Sequence, residues 1–532
     1  MKILLSCGNN IGQPTGYGGQ ALILARYFRR AGHEVVCIAW SMVHPDKNLR
    51  NKMIPFMQVA KNASLGRVSY LTKEDERLFS KHTWSMVNPL GQWPVTIPKQ
   101  TVNDIVCMTQ ADVFIAFQDI FVFADGPVIV PTFVWMPFHF RPMEQRVVRS
   151  LGCFDVHVAM TRYGEMLCHD YFGPCCPAAK SSAGQSVKEI EYAPHAREGD
   201  IFHAIEGIFS EDDAERQEAL GRRADMRSEF SWPRDAFVCL IVASNSESSN
   251  RKAFDAQLQA WSRFASNLET TTGRKAWLHI HSALDGAMDM LRILEMLGEL
   301  SDRTVFTDLK DTCGKSKVTN ENDTNRVGER VSCSKKSSLH KTSPQKMARM
   351  YQCADLLLAA TCAEGFGVPI IEAQLCGCPV VTNKTTAMTE LTRVGLSVRP
   401  AQWIARNDFN SGWDVPSAVG LCRAMTKIAH WSPSERARRI RKVYGEVHAE
   451  FTPDPVGRKW VEVIENVHAR RNADGTVRGF PECRNRQLAA GLQVRKMFAR
   501  EVELGRSISP WLQQLAICKE LERDANVMSL IV

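Results

Sequence analysis

The sequence lacks the features that mark secreted and membrane-spanning proteins. It contains no run of about 18 uncharged apolar residues, and its amino-terminal Met-Lys leads into Ile3-Leu-Leu-Ser-Cys7 without an apolar stretch of signal-peptide length. Its seventeen cysteines are an odd number, and they are scattered through segments with the pattern of core strands. Such a distribution favours reduced thiols over a disulfide framework. We therefore expect a cytoplasmic protein that is soluble or peripherally associated with a membrane.

Metal-binding and dinucleotide signatures are absent as well. The sequence has neither a Cys-x-x-Cys pair nor an Asp-x-Asp, and Cys168, Cys175 and Cys176 have no second spaced pair to complete a metal site. The first glycine loop places its glycines at 16, 18 and 19 rather than as G-x-G-x-x-G, which disfavours a nicotinamide enzyme. We expect no metal and no organic cofactor.

The net charge of +8 is concentrated in one segment, which argues against a nucleic-acid-binding protein. Between Lys310 and Lys346 there are nine Lys or Arg residues but four Asp or Glu residues. This stretch is poor in apolar residues and rich in Ser and Thr, so it predicts a flexible basic insert at about 310–343. The insert is either a solvated excursion or a docking site for an anionic acceptor or a membrane surface.

The chain of 532 residues is too long for one ordinary core and suits two domains of roughly 200 residues. Near its start the pattern predicts a strand at 2–7, a helix at 20–30 and a strand at 34–39. Strand, glycine loop, helix and strand form a βαβ unit, which implies an α/β fold with a parallel sheet that binds ligands at its carboxyl edge. We predict domains at 1–205 and 206–450, a helix at 451–470 that crosses back to the first domain, and a helical tail at 471–532.

The most informative segment runs from Ala363 to Thr382 and contains Glu364 and Glu372, eight positions apart. Its glycines let the backbone approach a ligand closely, and the free N–H groups at the start of the following helix attract anions. The two carboxylates are separated by about 12 Å of helical rise, too far to share one proton or one metal ion. They are better placed to bind hydroxyl groups at two points of an elongated ligand. Taken singly, either glutamate could also be a solvated residue of a surface loop.

The pattern E-G-F-G-x-P-x-x-E-A-x-x-x-G-x-P-V-V resembles that of retaining glycosyltransferases of the GT-B fold, family-4-like. The resemblance implies two Rossmann-like domains with parallel sheets that face each other across a cleft, followed here by the helical tail. It also implies that Glu364 faces the transferred sugar and that Glu372 binds the nucleotide ribose. The backbone after Glu364 would hold the donor diphosphate, at Phe366, Gly367 and Val368.

Several other segments match the same family. The loop P-T-G-Y-G-G-Q resembles its first glycine loop, which implies that Gly18 and Gly19 contact the donor phosphate and the acceptor. His139 follows a predicted strand at 128–135, and the resemblance places it against the sugar; without the family it would more often be a packed core residue. Glu191-Tyr-Ala-Pro-His195 resembles the family's linker signature. Directly after the histidine the family has a glycine, whereas this sequence carries Ala-Arg-Glu-Gly.

The second domain is predicted to supply the positively charged side chains that bind the donor diphosphate. Lys252 precedes a predicted helix and matches the family's diphosphate-binding lysine, although in isolation it reads as a solvated side chain in a capped loop. The arginine of the family is replaced by Ser244 or Asn245, and spacing alone leaves open whether Arg251 compensates. We count Asn245, Arg251 and Lys252 among the candidate donor-binding residues.

The predicted function is transfer of a hexose-type sugar, with retention of configuration, from a UDP- or GDP-sugar to a sugar-bearing acceptor. The resemblance implies that Lys252, the backbone after Glu364 and the helix dipole stabilise the departing diphosphate without a metal. Glu364 and His139 would orient the sugar. Two alternatives remain at this point: an epimerase or phosphorylase on the same scaffold, and a non-catalytic protein that binds nucleotide sugars.

Overall fold

The structure is a computed structural model that describes most of both predicted domains. The described residues are 1–8, 11–12, 15–41, 53–55, 74, 83–87, 102–103, 105–106, 109–119, 123, 128–139, 141–173, 188–245, 249–282, 287–290, 292–293, 303–307, 342–406 and 411–473. The predicted basic insert lies outside them except for 342–343, and the predicted tail except for 471–473.

The first sheet has eight strands in the order β3-β4-β2-β1-β5-β6-β7-β8. Neighbouring strands are parallel except for β3 and β4, which pair in antiparallel fashion. The strands are β1 (Lys2–Cys7), β2 (Glu34–Ser41), β3 (Met53–Pro55), β4 (Thr83–Val87), β5 (Val113–Phe117), β6 (Thr132–Met136), β7 (Val156–Ala159) and β8 (Glu189–Tyr192). The helices of this domain include α1 (Gly16–Arg30), α2 (Gln145–Gly152) and α3 (Arg162–Phe172).

The second sheet has six strands, all parallel, in the order β11-β10-β9-β12-β13-β14. They are β9 (Phe237–Val242), β10 (Ala276–His281), β11 (Thr304–Phe306), β12 (Leu356–Ala359), β13 (Val380–Asn383) and β14 (Gly395–Val398). Its helices are α4 (Asp213–Met226), α5 (Phe254–Thr272), α6 (Pro344–Cys353), α7 (Val368–Leu375), α8 (Thr386–Leu391) and α9 (Ala418–Ala429). An antiparallel ribbon, β15 (Gln402–Arg406) with β16 (Ser411–Val415), was not expected from the sequence.

The apolar runs of the sequence become the central strands because helices cover both faces of each parallel sheet. All five residues of β5 are buried, as are the first five of β9. The prediction for α1 was wrong at its start, since the helix begins at Gly16 rather than at Gln20. The Thr15 hydroxyl accepts a hydrogen bond from the Gly18 N–H at 3.0 Å and caps the helix, so the glycines at 18 and 19 form its first turn.

Two long helices end the described part of the chain, α10 (Pro433–Phe451) and α11 (Pro453–Ala473). The α11 helix packs on the first domain, where the Trp460 ring meets Phe28 at 6.3 Å and Trp135 at 5.3 Å, edge to face in both cases. Its Gly457 is close enough to α1 that a Cβ atom there would lie 2.1 Å from the ring of Tyr27. The second half of the chain therefore returns to the first domain. No helix in the described ranges has the length and apolar character needed to cross a bilayer.

The two domains share a hydrophobic core. One continuous cluster of buried side chains includes strand residues of the first sheet, such as Ile3 and Ile115, and of the second sheet, such as Leu240 and Leu357. Phe366, which follows β12, belongs to the same cluster. The functional edges of both sheets are thus held against one another by apolar packing.

Candidate functional site

The carboxyl edges of the two sheets meet at one point of close backbone contact. Pro137 follows β6 of the first sheet, and Gly365 lies in the turn after β12 of the second. A Cβ atom added to Gly365 would lie 2.2 Å from the Pro137 Cβ, a distance that side chains do not tolerate. Gly365 is therefore required for the approach of the domains, as well as for the turn itself.

Glu364 lies beside this contact and binds two cations from the loop before α5. Its Oε1 accepts a hydrogen bond from Lys252 Nζ at 2.6 Å, and its Oε2 lies 3.2 Å from Arg251 Nη1. The same Arg251 nitrogen donates to the Ala363 carbonyl at 2.8 Å. The Glu364 main-chain N–H donates to the Thr386 hydroxyl at 3.0 Å, which fixes the turn against α8.

The electrostatics keep Glu364 ionised. Burial alone would raise the pKa of Glu364, but Lys252 and Arg251 outweigh it and lower the pKa to about 2. His139 contributes to the same lowering of the pKa, so this first-domain histidine lies within electrostatic reach of the carboxylate. The structure thus brings together four predicted site residues from three distant parts of the chain: Glu364, Lys252, Arg251 and His139.

Arg251 also interacts electrostatically with Tyr17, near the predicted first glycine loop. The Tyr17 hydroxyl donates to Asp119 Oδ1 at 3.2 Å, and its ring packs on Phe117 at 5.0 Å. Burial, followed by the charge of Asp119, raises the pKa of Tyr17 well above its usual value, while the nearby Arg251 opposes that rise. The first turn of α1 and the loop before α5 therefore lie within electrostatic reach of each other.

Glu372 occupies a buried position between the domains. Its Oε1 lies 2.6 Å from Arg197 Nη2, and its Oε2 accepts a hydrogen bond from the Tyr351 hydroxyl at 2.9 Å. Only 7% of the Glu372 side chain is exposed. The predicted role in ribose binding stays a prediction, and in this arrangement the carboxylate instead joins α7 to the segment that follows β8.

The turn after Glu364 has the geometry of an anion-binding loop. Gly367 has a φ of 96°, in the left-handed region that favours glycine, and no side chain caps α7 at this position. The Phe366 ring packs edge to face on His195 at 4.7 Å, which directs the side chain into the shared core. Burial, with the charge of Arg197 as the second cause, lowers the pKa of His195 to about 3, so its imidazole is neutral. Val368 begins the helix.

Three predicted donor-binding residues have their polar groups engaged by the protein. The N–H groups of Gly18 and Gly19 both donate to Thr15, at 3.0 Å each. Asn245 binds Met288 twice, with its amide nitrogen 2.7 Å from the Met288 carbonyl and its amide oxygen 2.9 Å from the Met288 N–H. Donor contacts by these three residues remain predictions, and the structure gives Asn245 an anchoring role.

Sequence reasoning missed Arg197, Tyr351 and Thr386. The departure from the linker signature after His195 was the available signal for Arg197, because Ala196 replaces the expected glycine and Arg197 follows it directly. Tyr351 and Thr386 gave no comparable signal, since a tyrosine within a helix and a threonine at the start of one are ordinary residues. Among the described residues, no three His, Cys, Asp or Glu side chains form a group that could hold a metal ion.

Comparison with known proteins agrees with this geometry. Residues 314–408 match the sequence model of Glycosyl transferases group 1. A search of curated protein sequences found no match. Solved structures similar to the chain include sucrose-phosphate synthase from Thermosynechococcus elongatus, with a TM-score of 0.53 and 12% identity over 88% of this chain and 100% of that one.

Two further structures have bound nucleotide ligands. Anabaena HepE, in complex with UDP and glucose, has a TM-score of 0.51 and 13% identity over 88% of this chain and 100% of that one. A trehalose-6-phosphate protein from E. coli, bound with UDP-2-fluoro glucose, has a TM-score of 0.52 and 12% identity over 88% and 99% of the two chains. The fold is GT-B, as predicted, with two parallel-sheet Rossmann-like domains. Fold and sequence match together support a glycosyltransferase.

Proposed function

We propose that the protein is a retaining glycosyltransferase that moves a hexose-type sugar from a nucleotide diphosphate sugar to a glycan, lipid or protein-linked acceptor. One observation carries the proposal: Lys252 and Arg251 converge on Glu364 at the carboxyl edge of the second sheet, opposite His139 of the first. Parallel α/β sheets bind their ligands at this edge. The remaining family features, including the family 4 assignment and a cytoplasmic location, form part of the same proposal.

Stabilisation of the leaving group is the main task of the site. A departing nucleoside diphosphate develops negative charge, which Lys252, Arg251 and the amino-terminal end of α7 are placed to receive. These fixed positive groups supply what a metal ion would supply elsewhere, so we propose metal-independent transfer. The backbone N–H groups of Phe366, Gly367 and Val368 lie at the start of α7, where a diphosphate is favoured by both hydrogen bonding and the helix dipole.

The electrostatics of Glu364 favour an orienting role over a nucleophilic one. Its carboxylate is already bound by two cations, which lower its pKa and its tendency to attack a carbon atom. We propose attack from the same face as departure. The acceptor oxygen bonds to the anomeric carbon as the bond to the diphosphate oxygen breaks, and the acceptor proton passes to that diphosphate oxygen. Glu364 and His139 then hold sugar hydroxyl groups in position.

A uridine nucleotide is the first donor to test. HepE and the E. coli trehalose-6-phosphate protein share the fold and were solved with UDP or a UDP-sugar. The experiment measures binding of a panel of UDP- and GDP-sugars by calorimetry, followed by donor hydrolysis and transfer, with NMR to assign the anomeric configuration of the product.

Lys252→Ala and Glu364→Ala are the diagnostic variants, with the exposed Lys427→Ala on α9 as the matched control. We expect each diagnostic variant to lower kcat/KM at least 100-fold, in the range of other lost charge-stabilising groups, and the control to leave it unchanged. Unchanged rates in both diagnostic variants would refute the assignment. An epimerised donor sugar, a sugar phosphate, or tight binding without turnover would instead identify the epimerase, the phosphorylase or the binding protein.

A further inference from the structure

A cluster of arginines lies at the end of the second sheet opposite the candidate active site. Arg223 and Arg227 are buried, and Arg436 is half-buried. Asp355 immediately precedes β12, and Ala236 immediately precedes β9, so both mark the amino-terminal edge of the sheet. Arg223 and Arg227 reach this edge from α4 and the turn after it, and Arg436 reaches it from α10. Ligands of the catalytic cleft do not come to this edge.

Asp355 is surrounded by guanidinium groups. Its carboxylate oxygens lie 2.9 Å from Arg223, 2.7 Å from Arg227 and 3.6 Å from Arg274. Arg436 donates to the Asp355 main-chain carbonyl at 2.8 Å. Burial alone would raise the pKa of Asp355, but these arginines, Arg227 and Arg223 foremost, lower it far below its usual range.

The positive charge of the cluster exceeds the negative charge. Within the described part of the chain, Asp355 is the single carboxylate in ion-pair distance of Arg223, Arg227 and Arg274, and none lies in ion-pair distance of Arg436. Burial, followed by repulsion from Arg223, lowers the pKa of Arg436 to about 10. Uncompensated charge is costly in a protein interior unless an ion of opposite sign neutralises it.

A small cavity adjoins this excess of charge. It has a volume of about 30 Å³. Apolar residues such as Phe209, Leu220 and Ile440 form most of its lining, and Arg216, Arg223 and Arg436 supply the charged part. That volume is larger than the roughly 10–15 Å³ that one water molecule needs. Arg216 is 8% exposed and forms an ion pair with Asp213 through Nη2, but among the described residues its Nε has no hydrogen-bond partner. Main-chain carbonyls of Ser210 and Gln352 hold the guanidinium groups of Arg216 and Arg223 in place.

We propose that this cavity is a binding site for a small oxyanion, either inorganic phosphate or the phosphoryl group of a small metabolite. Guanidinium groups present planar pairs of N–H donors that match the oxygens of a phosphate. Arg216 and Arg223 stand two turns apart on α4, and Arg436 faces them from α10, so the three donors converge from two elements. The site is separate from the donor-binding loops, and the inference does not depend on the proposed transferase activity.

The test is thermal unfolding of the full chain at constant ionic strength, with phosphate, sulfate or glucose 6-phosphate replacing chloride. At phosphate concentrations of 100 times Kd we expect a rise in Tm of about 2–3 °C. Arg216→Gln and Arg436→Gln should each abolish the rise. The matched control is Arg438→Gln, an exposed residue on the same helix, which should keep it.

A second control separates this cavity from the donor site, which also attracts phosphate. Lys252→Ala should keep the phosphate-dependent rise if the anion binds the arginine cavity. The proposal fails if wild type shows no rise beyond chloride, if both cavity variants keep the rise, or if Lys252→Ala alone removes it. An equal response to glucose 6-phosphate identifies a phosphorylated metabolite as a ligand, whereas a response to phosphate and sulfate alone identifies the free anion. Circular dichroism confirms that each variant is folded, and Arg436→Lys replaces Arg436→Gln if the latter is not.

Discussion

The Arg197 guanidinium lies 2.6 Å from the Glu372 carboxylate and connects the segment after β8 to α7, the helix that follows the Glu364 turn. The pair is almost fully buried, with 13% of the Arg197 side chain and 7% of the Glu372 side chain exposed. Tyr351 donates to the other carboxylate oxygen. Breaking such a pair leaves a charge without its partner in the interior.

Arg197→Ala should therefore destabilise the protein strongly. We expect the free energy of unfolding to fall by about 3–5 kcal/mol, as for other buried pairs that lose one member. Urea denaturation measures the change, and Arg399→Ala, at an exposed position, provides the control. In a double-mutant cycle, Glu372→Gln should reduce the effect of the Arg197 change; strict additivity would show that the two residues are not coupled.

Glu364 gives stability a defined pH dependence. Its pKa in the folded protein is about 2, below the ordinary value of 4.5, so its contribution is present above about pH 4.5 and is lost as the pH falls toward 2. The lowered pKa corresponds to at most about 3 kcal/mol. The stability difference between wild type and Glu364→Gln should be constant above pH 5 and shrink on acidification. A difference that stays constant from pH 6 to pH 3 would contradict the ion pairing, and the exposed Glu446→Gln provides the control.

Gly365 tests whether contact between the domains is needed for transfer. In Gly365→Ala the new methyl group would overlap Pro137 and force the sheet edges apart. We expect transfer to fall about 100-fold, because a displacement near 1 Å misaligns the reacting groups. The control is Gly221→Ala on α4, where no atom lies within 4 Å of the added Cβ. Donor affinity, measured by calorimetry, should change less than the rate of transfer, measured by product formation.

Asp355→Asn tests the charge balance of the arginine cluster. The substitution removes the carboxylate that Arg223 and Arg227 bind, and leaves their buried charges facing one another. We expect a loss of about 3–5 kcal/mol in the free energy of unfolding. Asp235→Asn changes an exposed side chain beside the same cluster and should have little effect on the urea midpoint. Equal midpoints for both variants would show that Asp355 does not balance the arginines.

The sequence was sufficient for the two parallel sheets because their strands are short apolar runs bounded by turn residues. It was insufficient where a single local contact decides the structure. The Thr15 cap starts α1 four residues early, although glycines at 18 and 19 suggested a loop. The ribbon that contains Trp403 and Trp413 went unnoticed because neither strand is a continuous apolar run.

The candidate functional site, like the fold, could be predicted only in part from the sequence. The segment around Glu364 identified one half of it, and Lys252 was selected by resemblance. The hydrogen bond between these residues spans 112 positions, which no spacing rule can reveal. Arg197 was visible only as a departure from a linker pattern, and its partner could be found only from the fold.

The continuous cluster of buried side chains gives the division into two domains a limited meaning. Residues from both sheets, from α7 and from α11 belong to this one cluster. Neither half can lose its structure without exposing apolar surface that belongs to the other. The boundary between the domains is thus a boundary of chain topology, across which one part of the apolar core is continuous.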